Sequence, residues 1–222
     1  MSHEFWLFIH ILLLVAWLGT DVGVLVGGLE SKNSELSNET RGKILGIGML
    51  LDMFPRTAMT LMLPTGMQLG LSLGMIQFSS STILLVWLFS ITWLVVTWLR
   101  YLNENKPLGE LCTKLCILID AIVLVACLWI AISSFGDNSP IVTPWLASKV
   151  LIFGLIALTT IALEFLFLPG VIAFVGIMTE GSTPEREATY SKSMNITIVS
   201  VLVIYALVLL SAWIGITKTP LF

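Results

Sequence analysis

The sequence predicts an all-α, polytopic transmembrane helix bundle of about six spans, forming one integral membrane domain over residues 1–222. Hydrophobic residues make up 57% of the chain, charged residues 11%, and the mean hydropathy is +0.98. A water-soluble surface does not tolerate that balance. Apolar runs of about 20 residues, enough to cross about 30 Å of hydrocarbon as helix, recur along the chain. The segments between them are short and carry the turn and charge signals, so nothing is left over for a soluble domain.

The spans fall near 4–28, 43–73, 81–102, 111–134, 145–169 and 193–216. The first, from "FWLFIH", lacks a positive leader and a small-residue cleavage site and reads as a retained span. The second holds Pro55 and Pro64 in "DMFPRTAMTLMLPTGMQLG"; each frees a backbone carbonyl at depth, tolerated where the helix packs in protein or lines a cavity. The third ends at "RYLNENKPLGE", the fourth at "FGDNSPIVTP", and the fifth at the polar run "TEGSTPEREATYSKS", read as a loop before the sixth.

Orientation follows from Lys and Arg. Lys32, Arg41, Lys43, Arg100, Lys106, Lys114, Arg186 and Lys192 belong to the odd-numbered loops or flank them, whereas Lys218 stands alone at the other face. The odd loops are therefore expected in the cytoplasm and both termini on the outer, periplasmic face of a bacterial inner (plasma) membrane. A net charge of −3 and the lack of a basic run exclude a nucleic-acid partner on charge grounds. The expected surroundings are the lipid bilayer, with a homo-oligomer or a larger membrane complex as the assembly. Gly19, Gly23 and Gly27, in steps of four, would allow close helix approach.

Ionisable groups at membrane depth are candidate functional residues because hydrocarbon penalises them. They are His10, Asp21, Asp52, Arg56, Asp120, Lys149 and Glu164. Counting 1.5 Å per residue puts His10 about 9 Å below the outer face and Lys149 about 6–8 Å, with Arg56 about 20 Å from the inner face and so near the same outer layer. Asp21, Asp52, Asp120 and Glu164 populate the inner half as a possible proton relay. His10, Trp17 and Asp21 share a helical face that should look inward, and Asp52 and Arg56, four apart, can pair.

An imidazole, a guanidinium and an ammonium in one layer suit a haem b: His10 as the metal ligand, Arg56 and Lys149 on the propionates. The other histidine, His3, lies outside the first span. His10 with Trp17 seven residues on, Arg56 with Pro64 eight on and then "GM", and Trp145 with Lys149 four on together resemble the HemJ-type membrane proteins and the membrane part of CopD-type proteins. The resemblance spans the first two segments and the fifth. It implies haem ligation by His10 with support from Trp17, Arg56 and Lys149, and electron transfer or oxidation of a hydrophobic substrate of the porphyrinogen or quinol class. Such a protein would be a haem-dependent membrane oxidoreductase.

Two other readings stand beside it. Six of nine methionines fall between Met49 and Met75, and thioethers suit Cu(I), so copper or small-cation transport or resistance along Asp21, Asp52, Asp120 and the methionines is one. A non-catalytic subunit whose buried charges are structural is the other. Cys112, Cys116 and Cys127 are expected as free thiols. No phosphate loop, Ser/His/Asp set or HExxH motif occurs.

Overall fold

A computed structural model describes residues 2–104, 106–134 and 140–221. It consists of α1 (His3–Glu30), α2 (Asn38–Ser72), α3 (Ser80–Leu102), α4 (Pro107–Ser133), α5 (Pro144–Glu180) and α6 (Pro184–Thr217). All six are long and apolar enough to cross a membrane, as the composition requires. Among the described residues no strand forms; one antiparallel bridge pairs Ile76 with Ile141 and ties the α2–α3 turn to the start of α5.

Helix starts follow local chemistry. The hydroxyls of Ser2, Ser37, Ser79 and Thr183 each accept a hydrogen bond from the backbone amide three residues on, filling a donor that the first turn leaves open. Pro107, Pro144 and Pro184 open α4, α5 and α6, where a missing N–H is harmless. Pro55 and Pro64 lie inside α2 without ending it. Beside Pro64, the Thr65 hydroxyl donates to the Leu61 carbonyl at 2.7 Å, so the helix carries its own polar support there.

The fifth loop differs from expectation. Most of "TEGSTPEREATYSKS" is helical: α5 runs to Glu180, Gly181 turns the chain at φ +98°, and α6 begins at Pro184. Hydropathy could not see this extension, because its signals are a threonine cap, a first-turn proline and the first-turn acids Glu185 and Glu187, which oppose the helix dipole. At 37 residues α5 is about 55 Å long, so its end with the start of α6 stands clear of a 30 Å core.

The helices pack in chain order as a ring, with the α1–α2 and α5–α6 hairpins most intimate and α6 returning to α1 through a thin seam. Gly23 and Gly27 serve the α1–α2 contact inside this chain: a Cβ on Gly27 would stand 3.6 Å from Gly48 Cα, and one on Gly23 2.6 Å from Leu51 Cδ1. Gly19 meets nothing within 4 Å. The surface is apolar, with Phe8, Val15, Leu85, Val125, Trp129 and Ile172 more than 60% exposed, while charge and hydroxyl groups turn inward. That inversion is what a bilayer stabilises.

One apolar core, around Trp17, Met59, Trp93, Val123, Ile156 and Val208, fills the ring's middle. A second, of Phe174, Ile177, Tyr190 and Met194, sits between the projecting ends of α5 and α6. There Arg41, 1% exposed, donates from Nη1 and Nη2 to both Glu187 carboxylate oxygens (2.7 and 2.8 Å) and from Nε to the Ser31 carbonyl (2.8 Å), its guanidinium over the rings of Phe174 and Tyr190. Ser31 and Tyr190 share a 2.6 Å hydroxyl contact, so α1, α2, α5 and α6 are latched at the odd-loop end.

Candidate functional site

All six helices contribute to a central cavity of about 80 Å³ on the odd-loop side of the mid-plane. Trp17 and Asp21 come from α1, Asp52, Arg56 and Met59 from α2, Trp93, Thr97 and Arg100 from α3, Cys116 and Asp120 from α4, Thr160 and Leu163 from α5, and Val201 and Ile204 from α6. The space suffices for a few water molecules between apolar walls and these polar groups.

Its charges form a partly neutralised set. Arg56 Nε donates to Asp52 Oδ2 at 2.5 Å, the pairing anticipated from their four-residue spacing, and Arg56 Nη1 lies 3.6 Å from Glu164 Oε1. Arg100 grips Glu164 with two parallel hydrogen bonds of 2.6 and 2.7 Å, the geometry that favours arginine over lysine. Asp120, 8% exposed, accepts a hydrogen bond from Thr160 Oγ1 at 3.1 Å. Asp21, 5% exposed, faces the cavity with no hydrogen-bond or ion-pair partner among the described residues. Four carboxyl groups therefore share two guanidinium groups. Full ionisation would place two negative charges without a guanidinium partner beside the cavity, a costly arrangement in a low-dielectric interior.

The inner acidic layer read from the sequence is thus assembled, and Trp17 forms part of its wall. Arg56 is a correction. It belongs to this layer rather than to the His10 layer, because its ion pairs with Asp52 and Glu164 hold it there. His10 instead meets Thr65 through Nδ1 and Oγ1 at 3.1 Å, nine residues and about 13.5 Å along α2 from Arg56.

The structure does not gather His10, Arg56 and Lys149, the residues expected to hold a haem b, around one cavity. The imidazole is pressed on the α2 backbone, where a Cβ on Gly66 would lie 3.2 Å from His10 Cε1. Arg56 is engaged by two carboxylates, and Lys149 reaches toward Gly215 of α6. Neither His10 nor Lys149 lines the central cavity.

Of the six methionines Met53 and Met59 are buried, Met59 alone of the six lines the cavity, and Met75 lies past the end of α2. No group of three His, Cys, Asp or Glu placed to hold a metal ion occurs among the described residues. Cys112, Cys116 and Cys127 are free and buried.

Sequence reasoning missed Arg100, counted only as a loop-flanking charge, and the hydroxyls of Thr97 and Thr160. Their signal was an arginine in the last turn of an apolar helix and threonines at polar-facing positions, neither specific without the partners. No protein-family model, curated protein or solved structure matches the chain.

Proposed function

We propose that this protein is a proton-handling transport protein of a membrane, in which the carboxyl groups of Asp21 and Asp120 load and release protons at the central cavity. One observation carries the reading: Asp21 is buried, faces a cavity with room for a few waters and has no hydrogen-bond or ion-pair partner among the described residues, in a set of four carboxyl groups with two arginines. Intramembrane acids with spare protonation capacity are the usual components of proton paths.

Division of labour follows from the contacts. Glu164, clamped by Arg100 and approached by Arg56, is a fixed anion that orients both guanidinium groups. Asp52 holds Arg56 at the edge of the cavity, where the two side chains keep 31% and 40% of their surface accessible. Asp21 and Asp120 are the exchangeable pair, with the Thr160 hydroxyl positioning Asp120. A proton rather than a copper or other metal ion is favoured because the acids are dispersed over four helices, with no group of three His, Cys, Asp or Glu placed to chelate a metal among the described residues. The positive residues support placement in the inner membrane with odd loops cytoplasmic and both termini outside.

The test is proton flux in proteoliposomes carrying a trapped pH-sensitive dye, driven by a potassium diffusion potential. Asp21→Asn and Asp120→Asn keep shape and polarity but cannot exchange a carboxyl proton, and each should lower the flux at least tenfold, on the order of general acid–base contributions. Wild-type rates in both variants, with the protein folded, would refute the proposal.

A further inference from the structure

At the face that carries both termini the charge balance is reversed. Lys149, just inside α5, brings its ammonium to α6 so closely that a Cβ on Gly215 would stand 2.8 Å from Lys149 Nζ. Lys218, which caps α6 in a left-handed conformation at φ 59°, folds its ammonium back to the Gly215 carbonyl at 2.5 Å and over the Trp145 ring, 4.0 Å from the centroid. Two ammonium groups from two helices converge on one glycine.

Neither has a carboxylate partner among the described residues, and Lys149 has no hydrogen bond there at all. His10 is another base within electrostatic reach of Lys149. The end of the chain is pinned beside them, with the Leu221 amide donating to the buried Ser148 hydroxyl at 3.0 Å.

We infer that Lys149 and Lys218 form, across Gly215, a binding site for a phosphate-bearing anion, whose source is an anionic lipid headgroup. Converging cations without a counter-charge among the described residues are relieved by an anion between them, and basic pockets between membrane helices take headgroups in this way. The level is right for a headgroup: Trp6, Trp87, Trp145 and Trp213 all lie toward this end of their helices, with Trp6 and Trp87 in contact at 5.6 Å between ring centroids, and tryptophan marks the interface. Gly215 makes the site possible because any side chain there would displace the Lys149 ammonium. Proton handling at the cavity is not required for this inference.

The test uses the purified full chain in neutral detergent, with retained lipid counted by native mass spectrometry. Phosphatidylglycerol should be retained by the wild type in preference to diacylglycerol. Its affinity should fall roughly tenfold or more in Lys149→Gln/Lys218→Gln, about the effect of two interfacial charges. Gly215→Ala, which keeps both charges, should weaken it too, and Lys218→Gln alone, at an exposed position, guards against misfolding of the double variant. Inorganic phosphate competing with the lipid at millimolar concentration would support the site with a free anion as its occupant. Equal retention of phosphatidylglycerol by wild type and all three variants would overturn the inference.

Discussion

Replacing Arg41 with methionine should unlatch the odd-loop end of the ring. The guanidinium is 1% exposed, makes two hydrogen bonds to Glu187 and one to the Ser31 carbonyl, and lies 5.7 and 5.8 Å from the ring centroids of Phe174 and Tyr190. Breaking a buried pair by removing one partner destabilises by about 3–5 kcal/mol. Glu187 keeps 19% of its side-chain surface accessible, so water rescues part of the abandoned carboxylate and about 3 kcal/mol applies. For a chain of this size that is a fall in Tm of about 6–12 °C. The three buried cysteines provide the assay, since a thiol-reactive dye labels Cys112, Cys116 and Cys127 only as the helices separate. Glu187→Gln should cost about 1–2 kcal/mol, less than Arg41→Met, because Arg41 keeps the Ser31 carbonyl and both rings. A Tm change below about 2 °C in Arg41→Met, or a larger loss in Glu187→Gln, would refute the reasoning.

Gly70→Val should destabilise by about 1–3 kcal/mol in the same assay, because a Cβ there would stand 2.5 Å from Ile76 Cδ1 and 3.3 Å from Leu146 Cδ2. Gly46→Ala, exposed on α2 with nothing within 4 Å of the new methyl, should instead raise stability by about 0.5–1 kcal/mol; a loss would mean that α2 is not helical there. A compartment reporter fused after Phe222 should read as periplasmic, and a cytoplasmic signal would reverse the orientation taken from Lys and Arg. Because His10 and Lys149 do not line the cavity that holds Arg56, protein purified after expression with added haem should show no b-type α band; a band that disappears in His10→Ala would overturn that expectation.

The sequence by itself determined the six helices and the inward residues of α1, because apolar runs and a 3.6-residue period are local signals, though not where α5 ends and α6 begins. It also identified the ionisable residues worth following, since a charge in an apolar run is conspicuous wherever its partner lies. Asp52 and Arg56 were paired correctly because both sit on one helix. Tertiary structure decided everything that depended on which helix faces which. Arg100 found Glu164 from 64 residues away, Arg41 found Glu187 from 146, and Arg56 left the layer that counting had assigned to it. The unpartnered state of Asp21 is likewise a property of the ring: a carboxyl group is spare only once every arginine within reach has been claimed by another.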